Sequence, residues 1–280
     1  MDPYYRRRSG GGFGKGRLII AFIMALVAIA GYYGTRSYNP VTDEVQHVDI
    51  TPQQEVALGL QAAPEMAQQF GGLHPDQKAQ ALVDRICNEL VTKTSAKDTP
   101  YEYDCHVLAD EETINAFALP GGQVFITAGL MGKLQTEAQL AGVLGHEIGH
   151  VVARHGAEHI AKQKLTQGLT GAAVIATYDP NDPSSRRNAA VAMLIGQLVN
   201  MRFGRQDELE SDRLGVRFIS EAGYDPRSMI EVMKILEASA GGGRQPEFFS
   251  THPNPANRIN NIQAAIQERF PQGVPEGLKS

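Results

Sequence analysis

The chain has 280 residues, a length suited to one sizeable core, and its 26 Lys and Arg against 31 Asp and Glu leave a net charge of −5. Its positive charges gather near the start, at Arg6, Arg7, Arg8, Lys15 and Arg17, so nothing in the charge pattern points to a nucleic-acid partner. The only two cysteines, Cys87 and Cys105, match no zinc-binding spacing; in an oxidising compartment they could join a helix to a neighbouring strand.

Residues 1–17 read as a basic cytoplasmic leader, and residues 18–34 as an uncharged apolar run. As a helix that run is about 25 Å long, a little short of a ~30 Å hydrocarbon core. Tyr32 and Tyr33 suit the far interface, and the basic cluster favours the cytoplasmic side, which predicts a signal anchor with the bulk of the chain outside the cytoplasm. The competing reading is a signal peptide cleaved near Ala30, after Ala28-Ile29-Ala30. Residues 35–50, with Pro40, read as a linker.

From Thr51 helical patterns alternate with a short β segment. Thr51-Pro52 with Gln54-Glu55 reads as one helix start and His74-Pro75 as the next. Gln123-Val124-Phe125-Ile126-Thr127 follows a Pro-Gly-Gly turn and is β-rich; it is either a plain core strand or an edge on which an extended peptide pairs. Residues 169–176 and 189–199 are apolar but too short to span a bilayer, and read as buried helices flanking the active-site helix. A turn-rich loop, residues 178–185, lies between them as lid or connector. A final helix covers residues 257–269, and residues 271–280 form a tail.

The chemistry concentrates at His146-Glu147-Ile148-Gly149-His150. Two histidines four apart project from one helix face and both reach one metal ion, and Glu147 is placed to act as a base on water. Apolar neighbours on a helical stripe and Gly142, Gly145 and Gly149 describe a buried, closely packed helix, in which unpaired His and Glu would be costly without a metal. A catalytic zinc takes three protein ligands. The pattern that ends in a third histidine is excluded, because Ala153 and Gly156 occupy its glycine and histidine positions. His155 and His159, on helical angles, read as solvated or capping residues. Later acids offer an alternative: Glu208 and Asp212, four apart, share a face, with Glu210 and Asp207 as fallbacks, while the plain alternative is an acidic helix surface.

These motifs, with Thr251-His252-Pro253, Arg258, residues 115–122 and the Gln54-Glu55 to Gly59 stretch, resemble the gluzincin metallopeptidases related to HtpX, BepA and the CaaX prenyl protease, family 48 of the metallopeptidases. The resemblance covers roughly residues 50 to 270. It implies an α+β, predominantly α, zincin-like catalytic domain (residues 51–270) with a small β-sheet beside the active-site helix, preceded by one N-terminal transmembrane helix. It also implies one Zn2+ on His146, His150 and Glu208, Glu147 as general base, Asp212 holding a ligand histidine, and His252 as transition-state stabiliser or latency ligand. The family often has Ser before the Arg205 position and Ala before the Asp212 position, where this chain has Gly204 and Ser211. Both are small-for-small changes that leave the ligands in place.

The expected activity is a membrane-anchored zinc endopeptidase acting on misfolded or misassembled envelope proteins, at the inner membrane on the periplasmic side. The alternative is a chaperone-like envelope binding protein with a latent zinc site. Because Ala240-Gly241-Gly242-Gly243 precedes His252, residues 241–252 are expected to gate the site, with Arg258 anchoring the loop to a nearby carboxylate.

Overall fold

A computed structural model describes residues 11–177, 204–240, 246–253 and 257–280. Arg6 to Arg8, the turn-rich loop 178–185, the apolar stretch 189–199 and the glycines of the expected gate lie outside the described residues.

The chain forms two compact units. In the first, helix α1 (Gly11–Gly34) carries the apolar run, and its Lys15–Gly34 stretch is long and apolar enough to cross a membrane. Its large side chains, Phe22 and Val27 among them, are exposed. The later part of helix α6 (His155–Thr177) belongs to the same unit, and a Cβ placed on Gly168 would lie 2.6 Å from Ala28 Cβ. The expectation of a buried helix flanking the active-site helix therefore fails for residues 169–176. Of these, Ala172 is buried and Leu169 exposed, and small residues here bring α6 onto α1.

The second unit holds the main core. Residues 35–50, read as a linker, instead contain two paired strands, β1 (Arg36–Asn39) and β2 (Glu44–His47). The buried amides of Asn39 and Gln46 donate to the carbonyls of Val152 and Ala153. Helix α2 (Pro52–Gln69) starts at the capping box of Thr51 and Gln54, and α3 (Gln77–Thr92) at Asp76, two residues beyond His74. Cys87 on α3 and Cys105 on β3 (Asp104–Leu108) form a disulfide with Cα atoms 6.2 Å apart. After β3 come β4 (Ala116–Ala118), β5 (Gln123–Thr127) and the short helix α4 (Ala128–Met131). The sheet order is β3-β5-β4, with β5 parallel to β3 and antiparallel to β4. All five residues of β5 are buried, so it is a central core strand and β4 is the edge. Gly121, at φ +87°, makes the turn before it, where a Cβ would fall 2.4 Å from Val56 Cα on α2.

Helix α5 (Glu137–Val152), capped by Thr136, is buried from Ala138 to its end because other elements surround it. It packs chiefly on α7 (Arg205–Glu221), and further on α8 (Ser228–Ser239), α3 and the sheet. Small residues set the α5–α7 crossing. A Cβ on Gly149 would stand 2.8 Å from Ser211 Oγ, one on Gly145 2.8 Å from Ile219 Cγ2, and one on Gly215 3.3 Å from the His146 nitrogen. Ser211 Oγ donates to the His146 carbonyl across this contact. A short helix, α9 (Phe248–Thr251), and α10 (Arg258–Arg269) complete the unit.

Candidate metal centre

The close α5–α7 contact puts the two sequence motifs face to face. On α5, His146 and His150 turn Nε2 towards each other at 3.1 Å. From α7, Glu208 brings Oε1 to 3.4 Å from His150 Nε2 and Oε2 to 3.5 Å from His146 Nε2. His252, directly after α9, adds Nδ1 at 3.0 Å from Glu208 Oε1 and 3.4 Å from His146 Nε2. Four donors held 2.0–2.1 Å from a tetrahedral centre stand about 3.3–3.4 Å apart, so the spacings match one small divalent cation. All four residues are buried, and a carboxylate with three imidazoles is a donor set zinc accepts.

Each donor is oriented from behind. His146 Nδ1 lies 2.9 Å from Asp212 Oδ1, the carboxylate–histidine contact common behind metal ligands. Arg258 grips Asp212 with Nε at 2.8 Å and Nη2 at 2.9 Å, and places Nη1 3.0 Å from Glu208 Oε2. One buried guanidinium thus balances two buried carboxylates. His252 stacks on Phe248, ring centroids 4.5 Å apart, while the Phe248 backbone nitrogen donates to the Ile114 carbonyl beside β4. The segment bearing His252 is therefore tied to the edge of the sheet.

Charge and burial pull these groups apart in pKa. Desolvation, reinforced by the charge of its neighbours His146 and His155 against the pull of Glu208, puts His150 well below the ordinary imidazole range. For His146, burial and Arg258 lower the value, but hydrogen bonds to Asp212 and Glu208 outweigh them and raise it to about 9. Glu208 resists the upward push of desolvation because His252, His146 and His150 hold it well below the carboxylate range. Asp212 is likewise desolvated yet lowered, by Arg258 and His146. Glu147 goes the other way. Burial dominates and raises it, and neither of its buried oxygens has a hydrogen-bond partner among the described residues, with His252 Nε2 3.6 Å from Oε1.

The sequence reading also missed part of the site. His155, expected at the surface, is fully buried with Nδ1 2.8 Å from His150 Nδ1, and its Nε2 lies 3.3 Å from Glu210 Oε2. The fallback acid Glu210 therefore stands behind a ligand position and not among the donors. Glu55 is the other buried acid that the motifs left without a role. It accepts from Arg154 Nε at 2.8 Å and from Tyr101 Oη at 2.7 Å, locking the turn after α5.

Paired helical histidines with an adjacent unpartnered glutamate, closed by a glutamate from the next packed helix, define a zincin-like metallopeptidase centre. The profile of peptidase family M48 matches residues 77–266, and the chain belongs to that family. It is 31% identical over 249 residues to the mitochondrial metalloendopeptidase OMA1 of Schizosaccharomyces pombe, covering 87% of this chain and 71% of that protein. It is 32% identical over 203 residues to the beta-barrel assembly-enhancing protease of Escherichia coli, covering 69% of this chain and 40% of the relative. The bovine mitochondrial OMA1 metalloendopeptidase is 32% identical over 169 residues, 58% of this chain and 32% of that protein. The chain thus spans well under half of the bacterial and bovine relatives.

Proposed function

We propose that this chain is a membrane-anchored zinc endopeptidase. The observation that carries the proposal is the convergence of His146 Nε2, His150 Nε2 and the Glu208 carboxylate beside a buried carboxylate, Glu147, that has no hydrogen-bond partner. His146, His150 and Glu208 would hold the ion, which when bound supplies the Lewis acidity that activates water and polarises a peptide carbonyl. Glu147 takes a proton from the attacking water and returns it to the leaving amine. A raised carboxyl pKa suits both transfers, since an acid–base group works best with its pKa near the working pH. An extended polypeptide would pair with the edge strand β4, whose outer side faces away from β5.

His252 is the fourth donor. Catalytic zinc sites keep one position open and structural sites fill all four, so with His252 seated the centre is closed. We assign it a latency role: the segment withdraws from the donor cluster and from Ile114 before substrate enters. This closure is also the observation favouring the second reading, a chaperone-like binding protein with a latent zinc site. Casein hydrolysis by zinc-loaded wild type and Glu147→Gln separates the two. A fall of about 10²–10⁴-fold in the variant supports the peptidase. Equal inactivity of both samples, even with His252→Ala added, rejects it.

The apolar helix α1 and the similarity to a beta-barrel assembly-enhancing protease support an inner-membrane anchor with the peptidase on the periplasmic side, and envelope proteins that fold or assemble badly as substrates. The buried Cys87–Cys105 disulfide supports an oxidising compartment.

A further inference from the structure

The five residues from His150 to Arg154 and His155 place a second imidazole against a donor of the centre. Helix α5 ends at Val152, and the chain turns through Arg154, at φ +56°, whose carbonyl already accepts the first hydrogen bond of α6 from Glu158. A non-glycine residue in the left-handed region costs energy, which the buried Glu55 offsets by holding the Arg154 guanidinium, together with the Ile50 carbonyl at 2.9 Å. The turn folds His155 back onto His150 and not out to solvent.

We propose that His155 and Glu210 are positioning residues for His150, forming a hydrogen-bonded chain that fixes which nitrogen of His150 presents a lone pair to the metal. The inference rests on reading His150 as a ligand. Its Nε2 faces the donor cluster, and a nitrogen that gives its lone pair to a cation carries no proton, so the proton of the neutral ring sits on Nδ1. That N–H points at His155 Nδ1, 2.8 Å away, which must accept and therefore be bare. The His155 proton is then on Nε2, from which it is donated to Glu210 Oε2 at 3.3 Å. Each assignment forces the next.

The two α5 ligands are thus steered differently. His146 meets a carboxylate, Asp212, directly, whereas His150 meets one through an intervening neutral imidazole. A second carboxylate placed directly against His150 would add another buried charge to a cluster that already holds Glu147, Glu208 and Asp212. Glu210 instead lies at the wall of an open cavity of about 480 Å³, between α7, α10 and the β1–β2 segment, where its charge is more cheaply solvated.

The test is zinc affinity of the full chain by chelator competition, with the visible spectrum of the cobalt-substituted protein and the melting temperature in chelator as companions. His155→Leu removes the acceptor, and should weaken zinc binding about 10–100-fold and alter the cobalt spectrum, with the chelated melting temperature held. His155→Asn retains an acceptor oxygen near the position of Nδ1 and should recover most of the affinity. Wild-type zinc affinity and cobalt spectrum in His155→Leu overturn the inference while leaving the metal centre intact; a wild type that binds no zinc overturns the metal centre itself. Should His155→Leu not fold, Glu210→Leu in two backgrounds decides. Weaker zinc binding in the wild-type background but not in His155→Asn supports the chain, and no loss, or the same loss in both, rejects it.

Discussion

At the scale of single residues, the site is a set of buried charges whose costs are met pairwise, and Glu147 is the member left without a hydrogen bond. Removing His252 tests the balance between latency and catalysis. If the fourth donor keeps the centre closed, His252→Ala raises basal peptidase activity; if it stabilises the transition state, activity falls. We expect the rise, read as initial rates on casein at equal zinc loading. The α5–α7 contact is equally sensitive. Gly149→Val would drive a side chain into Ser211, whose Oγ stands 2.8 Å from even a Cβ there. Overpacking of this kind costs about 1–3 kcal/mol, and a lowered melting temperature with weakened zinc binding is the expected result. The paired histidines were legible in sequence because spacing alone puts them on one face. His155 was not, because its helical angle was counted through a helix that in fact stops. The left-handed turn at Arg154 resets the phase, and an arginine gives no signal there where a glycine would have.

At the scale of elements, hairpins, caps and cross-links decide what the sequence showed. The capped starts of α2 and α3 were readable from Thr51 and the residues near His74, since capping is local chemistry. The role of β5 was not, because an alternating pentapeptide looks alike at the centre or edge of a sheet; β3 and the three-residue β4 decide it, and neither announces its pairing. The β1–β2 segment was missed for the same reason. The Cys87–Cys105 disulfide closes α3 onto β3 across 18 residues, and replacing both with Ala should cost about 2–4 kcal/mol, read by chemical denaturation against wild type under oxidising conditions. Another tie on α3 is electrostatic. Glu89 is held down to about 2 by Lys279 first and Lys93 next. A depressed carboxylate stabilises above its unfolded value and loses that contribution as pH falls towards the folded one. The melting-temperature gap between wild type and Glu89→Gln should therefore be full at pH 7 and close between about pH 4.5 and 2.

At the scale of the whole molecule, α1 presents large apolar side chains outward along a stretch long enough for a bilayer. On the anchor reading these face lipid, and Phe22→Asp with Leu26→Asp should move the protein from the membrane pellet to the soluble fraction, since each acid at the helix centre costs about 2.5–3.5 kcal/mol. A cleaved signal would leave the mature protein soluble with or without the change. The seated His252 has a further consequence for anyone seeking an inhibitor. A chelating group that needs the fourth position must wait for molecules in which that histidine has withdrawn, so its apparent dissociation constant is the intrinsic one divided by the open fraction. With one molecule in roughly a hundred open, potency falls a hundredfold. Inhibitor strength then becomes a gauge of how often the protease opens, and the same compound should tighten in the presence of whatever opens it.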